Sequence, residues 1–131
     1  MSVFVDTSGL IAMLDADEAR HHEAAARWRQ LVEEDEPLVA TNYVMLETLA
    51  LTQRRLGLDA VRLLVRDVVP LLDIEWVGED AHEAAVAVLV AANRRSLSLV
   101  DCASFETMRR RGLTQAFAFD QHFAEQGFAG P

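Results

Sequence analysis

The sequence predicts an α/β protein with a mostly parallel sheet covered on both faces. Three observations carry that expectation. Short β-branched or aromatic runs alternate with longer stretches of helical periodicity. The hydrophobic content of 51% argues against a disordered chain. Acidic residues stand directly after strand-like runs, where open parallel sheets place their sites. A length of 131 residues, with no internal repeat, low-complexity segment or linker, fits one domain over residues 1–131.

Ser2–Val5 reads as the first strand. Asp6, Thr7 and Ser8 supply N-cap chemistry for a helix through Leu14. A polar turn, Asp15–Glu18, precedes a second helix over 19–34, with Ala24, Ala25, Trp28, Leu31 and Val32 at helical spacing. Pro37 breaks the chain, and Leu38–Ala40 is the second strand. Thr41 or Asn42 caps a helix running to about Arg55, stopped by Gly57. Leu58–Val69 is a further helix, ending at Pro70. Asp73–Val77 alternates as a third strand. Glu79–Asn93 is helical and so rich in Ala and Val that both sides are apolar, which points to burial against a partner as well as the core. Asp101 opens a helix that ends near Arg111 and Gly112. Ala116–Phe119 is the fourth strand and Gln121–Glu125 a last short helix.

Charge and composition narrow the function. The net charge of −9 disfavours a broad phosphate-binding face, so a nucleic-acid substrate must be met by local arginines and by metal. The same acidity suits a basic protein partner. All 12 basic residues are Arg; with no Lys, a phosphate-binding P-loop is excluded. No apolar run approaches the roughly 20 residues that span a bilayer, so no membrane role is expected. The start shows no signal peptide, and the lone Cys102 forms no intramolecular disulfide; both fit a cytoplasmic protein.

Four acids carry the chemistry. Asp6 follows Val3-Phe4-Val5, Glu47 interrupts the apolar stretch Tyr43–Leu51, Asp101 follows Leu97-Ser98-Leu99-Val100, and Asp120 follows Ala116–Phe119. Unpaired buried carboxylates are unfavourable, so four such placements point to a shared cation. Carboxylates without thiolate or imidazole suit Mg2+ or Mn2+. His21, His22, His82 and His122 show no ligand spacing tied to these acids, and no Ser–His or Cys–His nucleophile pair is evident. Asp6, Asp101 and Asp120 also stand where helix N-caps belong, as do Thr7, Ser8 and Asn42. The Arg109-Arg110-Arg111 run is a candidate nucleic-acid contact, although cations at a helix C-terminus are favourable in any case. Arg54 and Arg55, near the end of the Glu47 helix, have the same status.

The segments Val3-Phe4-Val5-Asp6-Thr7-Ser8, Thr41–Glu47, Leu97–Ala103 and Ala118–Phe123, taken in order, resemble PIN-domain ribonucleases, and among these the VapC-type toxins. The resemblance covers essentially the whole chain. It implies a three-layer α/β/α sandwich with a four- or five-stranded, mostly parallel sheet. It implies that Asp6, Glu47, Asp101 and Asp120 bind Mg2+ or Mn2+ and cut RNA, with Thr7, Ser8 and Asn42 as supporting or substrate residues. A cognate antitoxin and a homodimer are the implied partners. The chain has Asn42 where Ser is common, and Ala118 where a small polar residue often precedes the last acid. The alternatives are a PIN-fold binding or regulatory module without nuclease activity, and a metal-dependent phosphatase or nuclease with another substrate.

Overall fold

A computed structural model describes all 131 residues, Met1–Pro131. The chain runs β1 (Val3–Val5), α1 (Thr7–Leu14), α2 (His21–Glu33), β2 (Leu38–Thr41), α3 (Asn42–Leu56), α4 (Leu58–Leu63), β3 (Leu72–Glu75), α5 (Glu79–Ala92), α6 (Leu99–Arg111), β4 (Gln115–Phe117) and α7 (Gln121–Glu125). The four strands form one sheet in the order β3-β2-β1-β4, and every pair is parallel. Val3 pairs with Leu38 on one side and Gln115 on the other. A single bridge from Gln115 to Ala129 is all that stands in a fifth-strand position.

Parallel neighbours need long connections, and each one here contains two helices. All residues of β1 and β2 are buried, which requires cover on both faces of the sheet. Phe4, Leu10, Leu31, Val39, Leu64, Met108 and Phe117 fill the main core, with Trp28 packed against Phe117 at 5.6 Å between ring centres. The chain winds from β1 to β2 to β3 in one direction, then lands β4 on the far side of β1. That reversal opens a crevice past the carboxyl ends of β1 and β4, the usual ligand position in sheets of this kind.

Several predicted boundaries move, each for a local reason. The helix expected over 58–69 keeps α-geometry only to Leu63. It then widens into a π-helical turn, Leu64–Val68, and tightens into a 3₁₀ turn, Val69–Leu71. Pro70 has no N–H and its ring crowds the preceding turn, so regular hydrogen bonding cannot continue to it. The N–H of Val69 bonds back to the carbonyl of Leu64 instead. The third strand is Leu72–Glu75 rather than 73–77, because the N–H of Val77 is taken by Asn42 Oδ1 at 2.6 Å. The fourth strand is Gln115–Phe117 rather than 116–119, because the N–H of Phe119 turns to Ser8 Oγ. Asp101 does not open its helix: Ser98 is the N-cap and Asp101 occupies the third helical position. Thr41, not Asn42, caps α3, accepting the N–H of Val44 at 3.1 Å.

Gly9 lets α1 lie directly on β4. A Cβ there would meet the Phe117 carbonyl oxygen and, at 2.6 Å, its ring. Ala ordinarily strengthens a helix over Gly by about 1 kcal/mol. Here the overpacking against backbone outweighs that preference, and Gly9→Ala is expected to lose about 1–3 kcal/mol in chemical denaturation. A stabilised variant would show that the α1–β4 contact is looser than described.

Candidate functional site

The crevice has a volume of about 470 Å³ and is lined by Asp6, Glu47, Asp101 and Asp120 together, with Thr7 and Ser8 beside them. Residues up to 114 positions apart in sequence thus converge on one space. Asp6 ends β1 and caps α1; its Oδ2 accepts the Ser8 N–H at 3.0 Å and the Ser8 hydroxyl at 2.6 Å. The Ser8 oxygen in turn accepts the N–H groups of Phe119 at 2.9 Å and Asp120 at 3.3 Å. One hydroxyl therefore uses its donor and both lone pairs to tie the end of β1 to the segment that carries Asp120.

Asp101 forms a capping box at the start of α6. Ser98 Oγ accepts the Asp101 N–H at 3.0 Å, and Asp101 Oδ2 accepts the Ser98 N–H at 3.2 Å. Glu47 lies in the second turn of α3, on a helix held to α1 by hydroxyls. Thr48 donates to Thr7 Oγ1 at 3.0 Å, and Thr7 donates to the Val44 carbonyl at 3.4 Å. Asp120 caps α7, its Oδ1 accepting the His122 N–H at 2.9 Å.

His122 corrects the sequence reading. It lies two residues beyond Asp120, so the turn that makes Asp120 a cap folds the imidazole back onto the same carboxylate, Nδ1 at 2.7 Å from Oδ1. The ring is buried, and Nε2 lies 3.3 Å from Ser96 Oγ. Ligand atoms of Asp101, Asp120 and His122 all fall within 4.8 Å of one another. A Ser–His–Asp chain therefore exists where the sequence showed no such pair. It shares Asp120 with the acidic cluster and contacts that carboxylate directly.

Not every candidate reaches the crevice. Asn42 binds the backbone of Val77 and is not part of the lining. Arg109, Arg110 and Arg111 lie outside it at the far end of α6. Arg110 pairs with Glu75 at 2.8 Å, Arg111 with Asp73 at 2.8 Å, and Arg109 with Gln126. The arginines that do line the crevice are Arg20 and Arg55. Arg55 was visible as a basic residue on the Glu47 helix. Arg20 carried no pattern of its own, because its position depends on the fold of the loop before α2.

Asp6 is 3% exposed and Asp101 6%. Burial pushes the Asp6 carboxyl up from 3.8 to about 7, with the charges of Asp101 and Glu47 acting in the same direction and the Ser8 hydrogen bonds opposing. Burial also raises Asp101, reinforced by Asp120 and opposed by its Ser98 hydrogen bonds and by His122. Between 3.8 and about 7 the folded chain keeps a proton that the unfolded chain releases. Without a divalent ion, stability should therefore fall as pH rises through that window. Asp6→Asn keeps an oxygen for Ser8 and removes the charge; in EDTA it should raise the melting temperature at pH 8 and change it little at pH 4. Equal shifts at both pH values would contradict this.

Relatives of the chain are evident in both sequence and fold. The PIN-domain family model matches residues 3–129. The 23S rRNA-specific endonuclease VapC20 of Mycobacterium tuberculosis is 38% identical over 128 residues, covering 96% of this chain and 95% of the relative. The crystal structure of Mycobacterium tuberculosis VapC20, described as a Sarcin-Ricin loop cleaving toxin, superposes with a TM-score of 0.81 at 35% identity, over 97% of this chain and 96% of that one. FitAcB from Neisseria gonorrhoeae matches with a TM-score of 0.69 at 15% identity, over 99% and 96% of the two chains. DNA-bound VapBC from Salmonella typhimurium matches with 0.65 at 14%, over 100% and 98%. The last two share the fold. With a family match along nearly its whole length and so near a relative, the chain belongs to the PIN-domain family, among the VapC-type proteins.

Proposed function

We propose that this chain is a Mg2+- or Mn2+-dependent endoribonuclease acting as the toxin of a toxin–antitoxin pair. The observation that carries the reading is the meeting of Asp6, Glu47, Asp101 and Asp120 in one crevice at the switch point of the sheet. The donor set fits a hard divalent ion. Asp6 Oδ1, Asp101 Oδ1, Asp120 Oδ2 and both oxygens of Glu47 make no hydrogen bond within the protein. Burial raises the Asp6 and Asp101 carboxyls, and a cation offsets the charge they carry when ionised.

Asp6, Glu47, Asp101 and Asp120 would hold the ion. When bound, it supplies Lewis acidity at a phosphodiester oxygen and acidifies water in its shell. Ser8 fixes Asp6 and the Asp120 backbone in one frame, and His122 fixes the Asp120 carboxylate. Hydrolysis adds water across a P–O3′ bond and leaves 5′-phosphate and 3′-hydroxyl ends. Structured ribosomal RNA is the first substrate to try, because the 38% identical relative is a 23S rRNA-specific endonuclease.

The partners of the reading are RNA, a cognate antitoxin and a second copy of the chain. No helix is long and apolar enough to cross a membrane, and an RNA target places the reaction in the cytoplasm. Val88 and Val90 on α5 are exposed, Val90 by 71%, which supports self-association through that helix.

Purified protein with Mg2+ or Mn2+ is expected to cut ribosomal RNA. EDTA should abolish cutting, and Asp6→Asn should slow it by about a hundredfold or more while the fold is kept. Cutting by Asp6→Asn at the wild-type rate would overturn the reading; a folded protein that binds no Mn2+ would favour a binding module.

His122 has its own test. His122→Ala should weaken Mn2+ affinity by about 10–100-fold, the usual effect of losing the partner of a ligand. In His122→Asn the amide nitrogen can take the place of Nδ1, and most of the affinity should return. Calorimetric titration with Mn2+ reads both; unchanged affinity in His122→Ala would remove His122 from the site.

A further inference from the structure

The crevice lining contains five carboxylates, Glu18 with the four already described, and two guanidiniums, Arg20 and Arg55. The side chains of the lining that attract a polyanion are those two guanidiniums. They are placed together. Arg20 stands at the start of α2, and Arg55, at the end of α3, reaches the same loop by pairing with Glu18 at 2.9 Å. Arg20 lies across the ring of Phe119, its guanidinium carbon 4.4 Å from the ring centre, and Phe119 is the neighbour of Asp120. That cation–π contact holds the guanidinium beside the segment that carries Asp120.

Both side chains keep donors in reserve. Arg20 uses only Nε, donated to Glu23 at 2.7 Å, so its two terminal NH2 groups are free. Arg55 uses only one terminal nitrogen, on Glu18. Arg20 and Glu23 are each half exposed, Arg55 and Glu18 slightly less so. Exposed pairs of this kind contribute little to stability, so exchanging a carboxylate for a phosphate is inexpensive. A planar guanidinium with two open NH2 groups matches two phosphate oxygens. The other basic cluster, Arg109–Arg111, has committed two of its guanidiniums to β3.

We propose that Arg20, stacked on Phe119, and Arg55 form a phosphate subsite that holds the RNA backbone beside the scissile bond. The proposal rests on the nuclease reading for the identity of its ligand and deepens it by naming where the strand is held. It assigns substrate contact to two arginines distant in sequence from each other and from the Arg109–Arg111 run.

The test is binding of a short fluorescein-labelled single-stranded RNA of mixed sequence, by anisotropy, over a range of salt. Asp6→Asn protein with Mg2+ serves as the parent, so that the RNA stays intact. Adding Arg20→Ala or Arg55→Ala should weaken binding severalfold or more and lower the slope of log K against log salt by about 0.7, the value for one lost single-strand phosphate contact. Arg20→Lys should keep the slope yet bind less tightly, because charge remains and the fork is lost. Arg110→Ala should match the parent, and melting temperatures confirm that each variant is folded. Parent-like slopes in both Arg20→Ala and Arg55→Ala would overturn the subsite, as would a lowered slope in Arg110→Ala alone. Cleavage by the wild-type chain is read separately. RNA held through these arginines but never cut would overturn the nuclease reading and leave the subsite standing; RNA cut normally with slopes unmoved would do the reverse.

Discussion

Asp6 and Asp101 are withdrawn from water side by side, and neither is paired with a basic side chain. That electrostatic tension governs the arrangement around them. A buried carboxylate keeps its charge only where donors or a cation compensate it. The chain supplies donors from helix starts: Ser8 N–H and hydroxyl to Asp6, Ser98 N–H to Asp101, His122 N–H to Asp120. These are partial charges, and they leave the Asp6 carboxyl near 7. On the proposed reading a divalent ion would provide the remaining compensation, and the site would be least stable in the form that binds metal best.

The sheet order turns this local problem into a site. Because β4 returns to the far side of β1, the ends of both strands face one crevice. Ser8 closes it, joining Asp6 to the backbone of Asp120 across 112 positions of sequence. Gly9, next along, lets α1 press on β4 so that this hydroxyl can reach. On the other wall, Thr7 and Thr48 hold α1 to α3 and set the turn from which Glu47 projects. Small hydroxyl side chains thus fix the acids without adding charge of their own.

Much of this was legible in the sequence. Asp6 and Asp120 each follow a strand-like run, and Glu47 is isolated in an apolar helix, so local pattern alone marked them. The parallel sheet followed from alternation of strands and helices, and Gly57 marked the end of α3 as expected, at a φ of 88°. What was not legible depends on distant contacts. The third and fourth strands stop early because Asn42 and Ser8 capture backbone N–H groups from 35 and 111 positions away. Arg20 lines the crevice through the fold of the loop before α2 and its contact with Phe119, 99 positions away. His122 was the exception, since its two-residue spacing from a capping Asp is a local signal that folds a side chain back on its cap. The Arg109–Arg111 run drew attention by density, but density does not say which acids are near, and here they are Asp73 and Glu75.

Calorimetric titration of Mn2+ into the wild-type chain near pH 6.5, repeated in two buffers of different ionisation enthalpy, reads whether metal and proton compete for Asp6. If a buried, partly protonated Asp6 is traded for a cation, binding must release protons, and the release must fade above pH 8 as the carboxyl ionises by itself. Tight Mn2+ binding with proton release at pH 6.5 and little at pH 8.5 is the expected result. Binding with no proton release at either pH, or no binding at all, would contradict it.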